Sequence, residues 1–171
     1  AMEHYNLVTP TMDAFVFRTW KNLFKSIGRA NVALRAVSLF SDATFPNRKS
    51  RLAELRFLRG HSYFTMKRLY KNIPIFDENT SDEDILKTGN DLSNDASWDK
   101  IAADFQYAVD NLPANQTEIG RANKTAAQTY LAKVKLYQAY TQSATHQVTG
   151  ISTARLQEVV TLLQAVIASG K

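Results

Sequence analysis

Five stretches of this 171-residue chain repeat apolar residues at helical spacing, and none alternates convincingly with the period of two that marks a half-buried strand. That pattern limits the chain to helices that bury a stripe against one another. The first stretch runs from about Met12 to Phe40, with Phe17, Trp20, Phe24, Ile27, Asn31 and Leu34 on one face and Arg18, Lys21, Lys25 and Arg29 on another. Phe45-Pro46-Asn47 interrupts it, because proline lacks the amide that a continuing helix needs. The second spans about Lys49 to Tyr70, and Leu52, Leu55, Phe57, Leu58, Phe64, Met66 and Leu69 go most of the way round it. Such a helix must pack on more than one side. Its cations Arg56, Arg59 and Lys67 are assigned to the face left to water, and Asn72-Ile73-Pro74 ends it.

Residues 76–96 are rich in Asp, Asn, Ser and Thr and read as loop. The third helix, about Ser97 to Asn111, carries the stripe Trp98, Ile101, Phe105, Ala108 or Val109, and Leu112, with Ser97 as its expected N-cap and Pro113 as its stop. The fourth runs from about Asn123 to Thr141 after a turn at Gly120, with Ala127, Leu131, Val134 and Tyr137 or Gln138 along one side. A polar loop, Gln142–Gly150, leads to the fifth, about Ser152 to Ala168. There Leu156, Val159, Val160, Leu163 and Ile167 form the expected buried face, and Gly170 stands where a C-terminal cap belongs. The fold class is therefore all-α: helix pairs stacked as in a tetratricopeptide-like solenoid, although no strict 34-residue consensus recurs.

Composition narrows the function classes. The chain has no cysteine, which excludes a disulfide framework, a zinc-thiolate site and a Cys nucleophile. The net charge of +5 is unevenly spread. Residues 1–76 hold 13 basic and 4 acidic side chains, residues 77–110 hold 2 and 10, and residues 111–171 hold 6 and 2. Basic stripes on the first two helices look like a nucleic-acid footprint, yet they are what any amphipathic helix needs on its wet face. The acidic block opposes phosphate and no nucleic-acid-binding module is present, so nucleic acid is not expected. No run approaches a spanning helix, and Ala1-Met2-Glu3-His4 lacks the regions of a signal peptide.

Tests for chemistry return little. In Asp77-Glu78-Asn79-Thr80-Ser81-Asp82-Glu83-Asp84, the Asp77, Asn79 and Ser81 spacing matches the start of a calcium loop. Asp82 then stands where glycine must turn the chain and Thr88 where a bidentate Glu must ligate, so a solvated acidic loop is expected and no metal. His4, His61 and His146 lie far apart, and no nucleophile elbow or phosphate loop occurs. The chain is expected not to be an enzyme and to use no cofactor. Aromatic stripes at helical spacing read first as core.

Taken in order, several segments resemble one family. Trp20-Lys21-Asn22-Leu23-Phe24-Lys25-Ser26-Ile27-Gly28-Arg29-Ala30-Asn31 is similar to the W-x-x-L-[YF]-x-x-I-x-x-A-N helix of SusD/RagB-type proteins. Ala53 to Phe64 resembles their A-E-x-R-F-L-R-A-x-x-Y-F helix, with Gly60 for the usual alanine. Asn72-Ile73-Pro74 resembles the G-x-[VI]-P step, read with Asn in place of Gly. Ile101 to Pro113 resembles I-x-x-D-L-x-x-A-x-x-x-L-P, Gly120 to Ala127 resembles G-R-A-T-K-x-A-A, and Val166 to Lys171 resembles the V-I-x-S-G-x-Y closing step.

The resemblance implies a tetratricopeptide-like scaffold in a lipid-anchored protein on the outer face of the outer membrane of Bacteroidota. Its implied role is non-enzymatic binding of glycans or other nutrients, closing over a SusC-like TonB-dependent transporter and delivering them to it. It carries over no catalytic residue. Family members are much longer, so residues 1–171 are expected to form one helical domain of a longer chain whose lipid anchor lies outside it. His4 and Tyr5 precede the first scaffold helix, where the family tends to place a ligand-facing loop, and are the implied ligand contacts. The alternative reading is a tetratricopeptide adaptor that grips a peptide partner.

Overall fold

A computed structural model describes residues 14–143, 145 and 147–170. In order these form α1 (Ala14–Ser38), α2 (Arg48–Tyr70), α3 (Asp82–Lys87), α4 (Asn94–Asn111), α5 (Lys124–Gln138), β1 (Tyr140–Gln142), β2 (Val148–Ile151) and α6 (Thr153–Ala168). Each long helix packs on the next: α1 on α2, α2 on α4, α4 on α5 and α5 on α6. This is the all-α, tetratricopeptide-like stack of helix pairs that the periodicity predicts. α2 touches both α1 and α4, which accounts for its apolar residues on more than one side. Between the helices runs a string of rings in edge and stacked contact, Phe57–Phe105–Tyr130–Phe64–Trp98–Tyr137. Side-chain oxygens cap three of the long helices: Asn123 accepts from the Ala126 amide at 2.9 Å, Ser93 from Ala96 at 3.1 Å and Ser152 from Arg155 at 3.4 Å. Gly120 and Gly170 take positive φ, 91° and 68°, at the turn and the cap.

Several expectations are corrected. α4 begins a turn earlier than expected, because Ser93 is its N-cap; Ser97 is buried and its hydroxyl donates to the Ser93 carbonyl at 2.9 Å. The acidic stretch contains α3, six residues with none buried, so no apolar period marked it. Its one sequence signal is the Ser81-x-x-Asp84 cap, in which Ser81 accepts from the Asp84 amide at 3.1 Å. α5 stops at Gln138, and the expected loop is an antiparallel hairpin with Tyr140 opposite Ile151 and Thr141 opposite Gly150. Strands of three and four residues, mostly exposed, are too short to alternate legibly. Phe17 is exposed in the first turns of α1. Of the expected α6 face only Val159 is buried; Val160, Leu163 and Ile167 are exposed, because α6 touches no described helix but α5.

The largest correction concerns α2. Arg59 and Lys67 are buried, while Leu58 and Leu69 face water. With α1 on one side and α4 on the other, the face that helical periodicity left over points inward. Gly60 permits the close approach: a Cβ there would meet Asp104 Cβ and Phe105 Cζ at 3.2 Å. Beside it the Arg59 guanidinium donates through Nε to Asp104 Oδ2 at 2.8 Å, through Nη2 to Oδ1 at 2.7 Å, and through Nη1 to Asn31 Oδ1 at 2.7 Å. Nη1 also pairs with Glu78, whose other oxygen accepts from Arg56 at 3.0 Å. Burial disfavours the guanidinium charge, but Asp104 and then Glu78 outweigh it and hold Arg59 protonated. Glu78 is therefore no solvated residue. The loop that carries it is strapped down further by Arg35 Nε on the Glu78 carbonyl at 3.0 Å, and Asp77 Oδ1 accepts from the Asn79 amide at 2.9 Å. The Tyr63 hydroxyl donates to the Phe76 carbonyl at 2.7 Å.

α2 ends at Lys71, where φ is 59° and ψ is −67° and the Asn72 amide bonds the Tyr70 carbonyl at 2.6 Å. This is a γ-turn of the strained, positive-φ kind. Counted back from Pro74, the glycine of the G-x-[VI]-P step falls on Lys71 rather than on Asn72, and positive φ is what that glycine would supply.

Three outcomes test this description. Denaturant unfolding of Arg59→Met should show a loss of about 3–5 kcal/mol, because Asp104 is left buried without its partner, whereas Arg59→Met with Asp104→Leu should regain most of it. A double variant as unstable as the single one would show that the pair is not the source. Burial pushes the Glu78 carboxyl up, but the Arg59 hydrogen bond and the Arg59 and Arg56 charges outweigh it and hold it below its ordinary range. Its folded pKa lies below its unfolded one, so its contribution is full above about pH 4.3 and fades as pH falls through the lower, folded value. The thermal midpoint should accordingly drop on acidification, with a shallower slope in Glu78→Gln; equal slopes would rule Glu78 out. Lys71→Gly should raise stability by about 1 kcal/mol by relieving the γ-turn, and a fall would contradict the assigned strain.

Candidate functional site

Four elements converge on a groove of about 250 Å³. The end of α2 supplies Lys67, Arg68 and Lys71; the start of α4 supplies Asn94 and Trp98; α5 and the hairpin supply Tyr137, Tyr140, Gln142 and Ser143. The stacking of α2 on α4 and α4 on α5 brings these helix ends together, and β1 continues the wall beyond the end of α5. Trp98 is buried at the fourth helical position from Asn94, and Tyr137 stacks on it with ring centroids 4.9 Å apart and planes 21° from parallel. Trp98 covers one face of Tyr137, which still leaves 41% of the residue exposed beside the groove. Arg68 lies 5.5 Å over the Phe64 ring.

Lys67 is the unusual member. It is 3% exposed, and its Nζ is buried without a hydrogen-bond partner among the described residues. The nearest compensating group is the Trp98 ring, with Nζ 6.0 Å from its centroid, the outer limit of a cation–π contact. Burial pushes the ammonium pKa down, and the Lys71 charge adds to the effect. No carboxylate lines the groove. Chemically it offers a ring face with cations and amide and hydroxyl groups around it, an arrangement that stacks on and hydrogen-bonds a polar ring.

A second cavity of about 240 Å³ lies against the Arg59 network, with Tyr63, Asp77, Lys100 and Asp104 on its walls. Arg59 and Asp104 are satisfied by each other, so this cavity belongs to the interior scaffold. Among the described residues, no three His, Asp or Glu side chains are grouped to hold a metal ion. No described helix is long and apolar enough to cross a membrane.

His4, Tyr5 and His146 lie outside the described residues. His61 is an exposed residue of α2 whose ring meets Tyr130 edge-on at 5.0 Å. Phe76 is half-buried and stacks with Phe24 at 5.8 Å, so it packs. Sequence reasoning missed the groove. It placed Lys67 in water, gave Tyr137 to the helix stripe and did not see the hairpin. The available signal was a lysine on a helix whose apolar residues go most of the way round it.

Several polar residues of the family-like motifs meet in this fold. Besides Arg59 with Asn31 and Asp104, Arg121 Nε bonds Glu54 Oε1 at 3.0 Å, joining the G-R-A and A-E segments. Comparison with known proteins agrees. Residues 1–136 match the model of a SusD-like family described as starch-binding, associating with the outer membrane. SusD-like protein P2 of Formosa agariphila is 30% identical over 129 residues, covering 75% of this chain and 25% of that protein. Two solved structures share the fold: one determined with a xylogluco-oligosaccharide (TM-score 0.75, 24% identity, 93% of this chain and 30% of the other), and a SusD-like carbohydrate-binding protein of Bacteroides fragilis (TM-score 0.75, 22% identity, 94% and 29%). The chain thus spans about a quarter of the relative's length. With the family model matched over most of its residues, the chain belongs to the SusD-like family.

Proposed function

We propose that the protein carrying residues 1–171 as one helical domain binds glycans or other nutrients, without converting them, at the outward face of the bacterial outer membrane. In this reading a lipid anchor outside the chain holds it there, and it delivers its ligand to a SusC-like TonB-dependent transporter. The family match over residues 1–136, with its starch-binding and outer-membrane description, carries the proposal. The groove chemistry supports it. A sugar presents C–H faces that stack on an aromatic ring, as the exposed surface of Tyr137 permits, and hydroxyls that bond side chains such as Asn94 and Gln142 at the rim. The Trp98 stack holds the Tyr137 ring in place, so less freedom is lost on binding. His4 and Tyr5 are proposed as further contacts.

Calorimetry of the full-length protein with starch- and xyloglucan-derived oligosaccharides should detect binding with no release of reducing ends. Tyr137→Ala should lower affinity by on the order of 1 kcal/mol, about fivefold. Affinity purification from outer membranes should retain a TonB-dependent transporter. Hydrolysis of the probes would overturn binding without conversion, and no binding to these or to acidic oligosaccharides would overturn the ligand assignment; a protein recovered without a transporter would overturn the delivery step.

A further inference from the structure

Stacking on a neutral sugar leaves Lys67 unexplained. Both Arg59 and Lys67 are buried cations of α2, yet the fold treats them oppositely. Arg59 meets two carboxylates and an amide, whereas among the described residues Lys67 Nζ meets only the edge of cation–π range on Trp98. A desolvated ammonium without a counter-charge destabilises the folded chain, and a methionine of similar volume would remove that cost. Arg68 and Lys71 line the same groove, and no carboxylate is among its described lining residues. A lysine stem is flexible enough that a change of rotamer brings Nζ from the Trp98 side to the groove it already lines.

We propose that this groove takes the oxyanion of an acidic saccharide, a uronate carboxylate or a sulfate ester, with Lys67 as its charge partner, Arg68 and Lys71 beside it and the sugar ring on Tyr137. The inference rests on the saccharide-binding reading and names the ligand class within it. The anion would supply the counter-charge that the protein withholds, so binding and burial of Lys67 become compatible. The shared chemistry is an oxygen anion carried on a ring.

The test is calorimetry of the full-length protein with three probes: trigalacturonate, its fully methyl-esterified form, which keeps the rings and loses the charge, and a sulfated galactan oligosaccharide. At least one anionic probe should bind about tenfold or more tightly than the ester, more weakly as salt rises, and the stronger of the two identifies carboxylate or sulfate. Lys67→Met should abolish the preference and raise the thermal midpoint of the ligand-free protein. Should Lys67→Met fail to fold, the exposed Arg68→Gln takes its place, with an expected loss of about threefold in the preference. Equal binding of anionic and esterified probes by the unaltered protein would overturn the oxyanion proposal while leaving saccharide binding intact. No binding of any probe, charged or neutral, there or with the starch and xyloglucan oligosaccharides, would overturn both. A preference unchanged in Lys67→Met, or in Arg68→Gln where that variant is used, would remove the α2 cations from the site.

Discussion

The helix stack depends on one buried guanidinium. Arg59 sits where α1, α2, α4 and the 76–80 loop come together, and its donors are divided among Asn31, Asp104 and Glu78. Apolar contact between helices is tolerant of sliding and rotation, because burial is proportional to area and has no direction. Bidentate pairing is not: two parallel bonds to Asp104 fix the register of α2 on α4, and Gly60 lets the backbones come close enough for them. The third and fourth contacts then orient α1 and the loop against that pair. In a buried network of this kind the alternative to correct pairing is a desolvated charge, so misregistered packings are strongly disfavoured. That is a constraint on specificity more than a source of stability.

The same helix carries the opposite case one and two turns further on. Tyr63 is satisfied by the Phe76 backbone, and Lys67 by nothing stronger than a distant ring. Past Lys67 the helix closes in a strained γ-turn at Lys71, next to the groove. Along α2 the buried cations thus pass from Arg59, paired on every side, to Lys67, whose Nζ has no hydrogen-bond partner among the described residues.

The groove is assembled from helix ends, which explains how a solenoid of packed helices acquires a concave face. Helix interiors are consumed by neighbour contacts; only their ends and the segments that follow are left to shape a cavity. The stack supplies rigidity through the ring string that ends on Trp98 and Tyr137, and the hairpin after α5 supplies the outer wall. α6 packs on α5 alone among the described helices, and none of its exposed apolar residues lines the groove.

The sequence by itself determined the helices and their order, since a buried stripe at period 3.6, a proline stop and a side-chain cap are written in neighbouring residues. The stripes of α4 and α5, the turn at Gly120 and the cap at Gly170 were all legible for that reason. So was the family, whose motifs turn out to include polar partners such as Arg59 and Asp104, or Glu54 and Arg121, that meet across helices. What only the tertiary structure decided was the environment of α2's cations, the hairpin and the groove. A position on a helix flanked by two others cannot be assigned to water or to core from its own period, because that depends on where the neighbours stand. Short exposed elements such as α3 and β1 bury too little to leave a pattern. The lysine that now marks the site read as a surface charge until α4 and α5 were placed over it.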